Sequence, residues 1–272
     1  MQDITAKIRQ EARKLFAEDR VEVIVGYRQG WGDQIVTPCF VTDESQVDAL
    51  IYDQNCTHNL AKYLVGREGL LTSRFQARDA RPRVALVATP AAMRSLVGLI
   101  QEHQFKREDL IVLAISADAA SGEAPVGLEP DIVVGRVEST PLADATQEVV
   151  ARIAELEALS PAERRAFWQR EFARCIRCYA CRQVCPFCYC ETCIADENQP
   201  QWIGTSPSFK NNTSWNVIRA YHLVGRCIDC GECERVCPVD IPLRLLNRKM
   251  IAEVQAAFGY VAGMSVEVEP AL

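Results

Sequence analysis

Residues 175–186 read CIRCYACRQVCP, and residues 227–238 read CIDCGECERVCP. Both copies have the spacing C-x2-C-x2-C-x3-C-P, which is typical of bacterial ferredoxins with two 4Fe-4S clusters. In that pattern the first three cysteines of a copy ligate one cluster, and the fourth ligates the other. The predicted ligands of cluster I are Cys175, Cys178, Cys181 and Cys237. The predicted ligands of cluster II are Cys227, Cys230, Cys233 and Cys185.

Zinc is the alternative metal, because pairs of C-x2-C cysteines also build four-cysteine zinc sites. A zinc ribbon uses two such pairs for each ion. It therefore leaves the third cysteine and the C-x3-C-P step of each copy unexplained. The spacing favours two 4Fe-4S clusters.

A cysteine-rich insert, residues 186–226, separates the two copies and contains a further C-x-C-x2-C pattern, formed by Cys188, Cys190 and Cys193. Three buried thiols would explain it, since cysteine behaves as a small apolar residue. A third metal site is the other interpretation, with a 4Fe-4S cluster favoured over zinc. Cys56 is the preferred fourth ligand, because NCTHNL is a predicted helix start, where backbone N–H groups favour a thiolate. Cys39 lies in an apolar strand and is interpreted as a core thiol.

The length and the distribution of cysteines both indicate two domains. The chain has 272 residues and 13 cysteines, and only Cys39 and Cys56 precede residue 175. A typical domain has about 100–200 residues. We predict an α/β domain over residues 1–158 that binds a partner or a flavin. We predict an α+β ferredoxin-like domain with two 4Fe-4S clusters, of the bacterial dicluster type, over residues 159–272.

Composition restricts the compartment and the partners. The first residues are charged, and no apolar run is long enough to span a membrane. We therefore expect a cytoplasmic protein, where clustered cysteines indicate metal rather than disulfides. A formal net charge of −6 argues against general nucleic-acid binding, which requires a basic surface.

Hydrophobic periodicity predicts the elements of the first domain. The predicted order is a helix at 4–17, strands at 21–27 and 34–41, a helical region at 44–70, a strand–helix–strand unit at 81–116, and a strand at 130–137. Gly26, Gly30 and Gly32 form a glycine-spaced stretch that is a candidate cradle for a phosphate or for FAD. Because it is not a G-x-G-x-x-G between a strand and a helix, an ordinary loop is the favoured interpretation.

The second domain is predicted to begin with a capped helix, since Ser160, Pro161 and Glu163 supply a cap, a first-turn proline and an acidic third residue. A last helix is predicted after Cys237. Basic residues are concentrated around the first cysteine copy: Arg164, Arg165, Arg170, Arg174, Arg177 and Arg182. They are either a solvated face, a docking surface for an acidic redox partner, or a brace for a negatively charged cluster.

With these motifs in place, the chain resembles iron–sulfur proteins related to the beta subunits of deazaflavin-reducing hydrogenase and formate dehydrogenase. The resemblance is strongest to relatives that accompany heterodisulfide-reductase-like complexes. RCIRCYACRQVCPFCYCETC, QPQWIG and AYHLVGRCIDCGECERVCPVDIPLRLLNRK carry it, and NCTHNLAKYL and RSLVGLIQEHQFKRED carry it more weakly. Longer relatives have further cysteines in the first domain, where VALVATPAAMRS has none.

The resemblance implies an electron-transfer subunit of a multisubunit oxidoreductase of anaerobes, without bond chemistry of its own. It would relay electrons between a flavin or a hydrogenase or formate dehydrogenase type of subunit and a heterodisulfide-reductase-like partner. The alternative is a flavoprotein enzyme subunit that reduces a deazaflavin or another small carrier. A third class is a structural iron–sulfur fold that binds a partner without redox turnover.

Overall fold

The structure is a computed structural model that describes residues 2–32, 34–72, 81–117, 126–137 and 141–271. The chain forms two compact units. The first comprises Met1–Ala143 and Gly263–Glu269, and the second comprises Asp144–Ala262 and Pro270–Leu272. The sequence-based division between residues 158 and 159 falls at the end of a helix in the second unit.

A five-stranded sheet forms the centre of the first unit. Its strands are β1 (Val23–Gln29), β2 (Val36–Val41), β3 (Val84–Ala88), β4 (Leu110–Ala117) and β5 (Ile132–Val137). The order is β2-β1-β3-β4-β5, with β2 antiparallel to β1 and the other neighbours parallel. All five residues of β3 are buried, as expected for a central strand of a parallel sheet. The predicted strands are confirmed.

Two helices accompany this sheet. Helix α1 (Gln2–Ala17) buries Ile4, Ile8, Ala12 and Leu15, which the helical period places on one face. Helix α2 (Pro90–Gln101) connects β3 to β4. The Thr89 hydroxyl oxygen accepts a hydrogen bond from the Ala92 N–H at 3.3 Å and caps α2, while Pro90 occupies its first turn. The predicted strand–helix–strand unit is therefore present.

The helical prediction for residues 44–70 is wrong in its type of helix. The structure has two short 3₁₀ helices, Glu44–Ala49 and Leu60–Leu64, joined by turns. The side chains of Asp43 and Asn59 accept hydrogen bonds from the backbone N–H groups of Ser45 and Ala61. Such local bonds compete with a continuous α-helix. The apolar spacing of this region reports burial against the sheet.

The second unit is built from helices: α3 (Pro141–Ala158), α4 (Pro161–Ala173), α5 (Ala180–Gln183), α6 (Phe209–His222), α7 (Glu232–Arg235) and α8 (Leu243–Phe258). The described residues of this unit contain no β-strand, so the β part of the predicted α+β arrangement is absent from them. Helix α6 lies inside the predicted insert, and the sequence analysis did not identify it. The capped start of α4 is confirmed, because Ser160 and Glu163 form a capping box.

The two cysteine copies have the same local backbone. Arg177 and Tyr179 in the first copy have φ of 60°, and Asp229 and Gly231 at the equivalent positions have φ of 60° and 72°. Each left-handed pair leads into a four-residue helix, α5 or α7. Three residues that are not glycine adopt this costly conformation. The two copies therefore share one local backbone conformation.

Within the described part of the chain, no helix has the length and apolar character needed to cross a membrane.

Candidate metal centre

The first three cysteines of the first copy, Cys175, Cys178 and Cys181, follow α4, and Cys181 lies in α5. Burial is the main cause that raises the pKa of Cys181, and the negative charges of Cys175 and Cys178 raise this pKa further. Cys175, Cys181 and Cys237 pack against one apolar cluster made by Phe172, Cys233, Ile241 and Leu243. The structure thus places the fourth cysteine of the second copy in the surroundings of the first copy.

A second group of neighbouring thiols contains cysteines of both copies, namely Cys185 of the first and Cys227, Cys230 and Cys233 of the second. Burial raises the pKa of Cys227 to about 12 and that of Cys233 to about 11, and raises the pKa of Cys230 well above its ordinary value. Cys185 is an electrostatic neighbour of all three. This is the grouping that the spacing predicts. Four thiols at one buried place ionise only with a compensating positive charge, and an iron–sulfur core supplies that charge.

The surroundings of these cysteines fit such a group. Buried sites normally satisfy their polar atoms. Yet the Nε atoms of Arg177 and Arg219 are buried, and the described residues give them no hydrogen-bond partner. Sulfide and thiolate sulfur are acceptors for N–H groups, so donors of this kind are expected around an iron–sulfur cluster. Cysteine thiols are also the donors that 4Fe-4S clusters require.

Three hydrogen bonds reach these cysteines from neighbouring residues. Asn247 Nδ2 of α8 donates to Cys233 Sγ at 3.4 Å, and the Ile241 backbone N–H donates to Cys237 Sγ at 3.4 Å. Asn212 Nδ2 of α6 donates to the Cys175 carbonyl at 2.7 Å. Hydrogen bonds to ligand sulfur favour the charged thiolate.

Helix α6 turns a polar face toward the first cysteine copy. Asn212, Trp215, Asn216 and Arg219 are buried and recur at helical spacing. The Trp215 side chain hydrogen-bonds Cys181 and lowers the pKa of that thiol against the larger effect of burial. Ser208 caps the helix by accepting a hydrogen bond from the Asn211 N–H at 3.4 Å. The sequence signal was present as a serine cap followed by N-x2-W-N-x2-R, but polar residues on a buried face do not register as an amphipathic helix.

The equivalent loop positions of the two copies carry opposite buried charges. Arg177 donates to the carbonyls of Asn211 and Gly204 and to the Tyr179 hydroxyl, and its guanidinium lies over the Trp215 ring. Asp229 forms an ion pair with Arg244 through bonds of 2.8 and 3.1 Å. Both loops are therefore held by charged side chains.

Three of the other predicted arginines have partners of their own on the protein. Arg164 donates to the Glu157 and Leu159 carbonyls at the junction of α3 and α4. Arg174 bonds Glu171 and the Asp240 carbonyl, and Arg182 bonds both oxygens of Asp196 at 2.9 Å. These contacts support a bracing role for part of the basic region.

The insert cysteines differ in exposure. Cys188 and Cys193 are partly buried, whereas Cys190 is exposed. Burial by itself would lower the pKa of Arg182. Hydrogen bonds with Asp196 and with Cys193 outweigh burial and raise this pKa above its ordinary value. Cys188 is an electrostatic neighbour of Arg219. All three belong to the second unit.

Cys56 lies in the first unit, and the structure corrects the reason for preferring it. It precedes the 3₁₀ helix by several residues, and its Sγ accepts a bond from the Asp53 N–H at 3.3 Å. Burial raises its pKa to about 12, so the surroundings favour a neutral thiol rather than a thiolate. Cys39 lies in β2, where burial also raises its pKa.

The glycine-spaced stretch forms part of the β1–β2 hairpin. A Cβ at Gly26 would lie 2.5 Å from Leu50 Cδ2, so this glycine allows close packing. The Gly30 N–H donates to the Ile35 carbonyl at 2.6 Å across the turn, while Trp31 is exposed. Residue 33 lies outside the described residues. Gly26 lies within β1, and Gly30 and Gly32 lie in the connection to β2.

Comparisons with known proteins define the class of the second unit. Residues 171–241 match the family described as the 4Fe-4S dicluster domain. This part of the chain is therefore similar to iron–sulfur domains that bind two 4Fe-4S clusters. The eight cysteines of the two copies lie within the matched residues.

Two curated relatives show the more particular relationship. Over 103 residues the chain is 35% identical to the F420-dependent formate dehydrogenase subunit beta of Methanocaldococcus jannaschii. The matched segment covers 38% of this chain and 27% of that protein. Over 105 residues it is 33% identical to the F420-dependent formate dehydrogenase 1 subunit beta of Methanococcus maripaludis, covering 39% and 26%. The matches span about a quarter of each relative. The predicted relationship to iron–sulfur beta subunits is confirmed.

Proposed function

We propose that this chain is an electron-transfer subunit of a multisubunit oxidoreductase of the formate dehydrogenase type. The observation that carries the proposal is the position of Cys185, which belongs to the first cysteine copy and lies among the thiols of the second. This proximity supports the proposed exchange of fourth ligands, in which Cys185 joins Cys227, Cys230 and Cys233, and Cys237 joins Cys175, Cys178 and Cys181. Two 4Fe-4S clusters bound by these sets are part of the proposal.

The residues around the two sets suit electron transfer. A 4Fe-4S cluster takes up and releases one electron at a time. Buried thiols, amide donors such as Asn247 and the cationic Arg219 offer a low-dielectric site with fixed dipoles and charge. Such surroundings tune a reduction potential and require little rearrangement when charge changes. The chain thus carries electrons without bond chemistry of its own.

The partners follow from the sequence resemblance. The electrons would pass between a flavoprotein, hydrogenase or formate dehydrogenase type of subunit and a heterodisulfide-reductase-like partner. The first unit, with its mixed sheet, is the proposed attachment domain for those subunits. A cytoplasmic location is part of the proposal, because eleven clustered cysteines remain reduced there.

A second candidate is a flavoprotein subunit that reduces a deazaflavin or another small carrier. The names of both relatives favour it, since each is the beta subunit of an F420-dependent formate dehydrogenase. This activity requires FAD in addition to the iron–sulfur clusters. About one flavin per chain, measured by visible absorption after cluster removal, would support this candidate.

A third metal site at Cys188, Cys190 and Cys193, with Cys56 as the fourth ligand, is a further proposal that rests on the sequence pattern. Its density of three cysteines in six residues supports a third 4Fe-4S cluster, with zinc as the alternative. The partial burial of Cys188 and Cys193 is compatible with ligation.

The experiment for the main proposal uses the full chain purified without oxygen. We expect at least about eight irons per chain, in two four-iron sets. We also expect electron paramagnetic resonance signals of two interacting reduced clusters after dithionite is added. A chain that carries zinc instead of iron, or iron that dithionite does not reduce, would refute electron transfer.

A further inference from the structure

Arg219 occupies an unusual position on α6. It is 5% exposed, and its Nη2 donates to the Cys181 carbonyl at 2.9 Å. Its Nε atom is buried, and the described residues provide no acceptor for it. A buried cation with an unfilled donor needs a nearby negative charge to offset its lost hydration. The surroundings of Arg219 identify that charge.

The charged neighbours of Arg219 are cysteines of both thiol groups. The guanidinium of Arg219 is an electrostatic neighbour of Cys233, Cys185, Cys181 and Cys188. Arg219 also hydrogen-bonds the Cys233 side chain. Cys181 belongs to one predicted ligand set and Cys233 to the other. One guanidinium therefore contacts residues of both sets.

We propose that Arg219 is a shared positioning residue whose fixed positive charge raises the reduction potentials of both predicted clusters. Reduction adds one negative charge to a site that already holds four thiolates. A buried cation stabilises that added charge, and the effect is large because little solvent screens it. The unfilled Nε gives Arg219 a donor for sulfur in addition to its charge.

This inference rests on the proposed electron-transfer function. In the test, dithionite is oxidised and supplies one electron to each cluster. No bond to Arg219 forms or breaks. The measured quantity is the midpoint potential of each cluster, which a purely structural residue would not move.

The experiment is an anaerobic redox titration of the full chain, followed by electron paramagnetic resonance. We compare Arg219→Met, Arg219→Lys and the wild type. Lys210→Met is the matched control, because Lys210 lies on the same helix and loses the same charge, but is exposed to solvent. Iron and sulfide contents are measured for every variant.

We expect Arg219→Met to shift both midpoint potentials to more negative values. The expected shift corresponds to an equilibrium for reduction about tenfold weaker, or about 59 mV per one-electron step. Arg219→Lys should lie closer to the wild type because it keeps the charge. Lys210→Met should show no such shift. Raising the salt concentration should leave the Arg219→Met shift largely intact, since buried charges are poorly screened.

The alternative outcomes are distinct. If Arg219→Met keeps the wild-type iron content and the wild-type potentials, the proposal is wrong while electron transfer stands. If Arg219→Met loses iron, Arg219→Gln and Arg219→Lys provide the comparison. Equal potentials in those two variants would overturn the role of the charge. A wild-type chain that dithionite does not reduce would instead refute the proposed function.

Discussion

Cys185 makes each of the two cysteine copies depend on the other. It is the fourth cysteine of the first copy, yet Cys227, Cys230 and Cys233 are its electrostatic neighbours. The three-plus-one spacing explains this, because three closely spaced thiols occupy one cluster and the fourth reaches the next. A substitution in one copy is therefore expected to affect the cluster of the other.

We predict that Cys185→Ser removes or alters cluster II and leaves cluster I in place. The expected result is loss of one of the two reduced signals in electron paramagnetic resonance, with up to about four fewer irons per chain. Cys39→Ser is the control, since this buried thiol lies in β2 of the other unit. Loss of the cluster I signal alone would show that the ligands are assigned to the wrong clusters.

The buried ion pair between Asp229 and Arg244 is expected to stabilise the second cysteine loop. Both side chains are 5% exposed, and Arg248 lies 3.6 Å from the other oxygen of Asp229. Removing one partner of a buried pair leaves an uncompensated charge and costs about 3–5 kcal/mol. We predict a loss of this size in the free energy of unfolding of Asp229→Asn.

Anaerobic denaturant unfolding followed by circular dichroism measures this loss. Glu157→Gln is the matched control, because the exposed pair of Glu157 and Lys249 contributes at most about 1 kcal/mol. Equal stabilities of Asp229→Asn and the wild type would show that Arg244 is satisfied without the carboxylate.

The cysteine copies could be recognised in the sequence because ligation of a cluster restricts the spacing of cysteines. The proximity of Cys185 to the cysteines of the second copy agrees with that spacing. The contacts of Arg219 and Asn212 with the cysteines could not be predicted from the sequence in this way. Their roles depend on the turn of α6, which brings them against cysteines that are 38 and 37 residues away in sequence. Long-range contacts of polar residues leave no period in the sequence. The strands of the first unit were readable because burial of β-branched residues gives short apolar runs.

Helix type was predictable only where a local signal specified it. Helix α4 has a capping box, a proline in its first turn and the predicted start. Residues 44–70 have apolar residues at helical intervals, but Asp43 and Asn59 bond nearby backbone N–H groups and divide the region into 3₁₀ turns. Periodicity predicted which residues are buried there and not which helix they form.

The capping box of α4 gives a prediction for the start of the second unit. The Ser160 side chain accepts from the Glu163 N–H at 3.3 Å, and Glu163 Oε2 accepts from the Ser160 N–H at 2.8 Å. Ser160→Ala should reduce the free energy of unfolding by about 1 kcal/mol. Ser214→Ala inside α6 is the control, since alanine is a better residue than serine in a helix interior. Equal losses in the two variants would contradict the cap.

The same capping box predicts a dependence on pH. Its hydrogen bonds from Ser160, first from the side chain and then from the backbone, lower the pKa of Glu163. A lowered folded-state pKa stabilises the protein above the ordinary glutamate pKa, and the stabilisation is lost as pH falls through the lowered value. The thermal midpoints of the wild type and Glu163→Gln should therefore differ near neutral pH and converge in acid. A difference that grows in acid would contradict this sign.

The similarity to the 4Fe-4S dicluster domain concerns the second unit, whereas the role of the first unit is a proposal. The matched dicluster domain, residues 171–241, lies entirely in the second unit. The first unit has a sheet with four parallel strands and one antiparallel edge strand, an arrangement compatible with many activities. Its role as a partner-binding or flavin-binding domain therefore has to be tested on the full chain.

The insert cysteines give the last prediction, since Cys188, Cys190 and Cys193 exceed the eight thiols that two clusters use. If they form a third 4Fe-4S site with Cys56, the anaerobic chain holds about twelve irons, and Cys190→Ser lowers the count by up to about four. Cys56→Ser should have the same effect, because ligation requires its buried thiol to ionise. Cys39→Ser is again the control for a thiol that is not a ligand.

About eight irons per chain, without zinc, would remove the third site. Loss of iron in Cys190→Ser but not in Cys56→Ser would keep the insert as a metal site and reject Cys56 as its fourth ligand. The structure gives a reason to separate these outcomes. The partly buried insert thiols lie near the cationic Arg182 and Arg219, whereas burial, together with the negative charge of Asp53, raises the pKa of Cys56 to about 12.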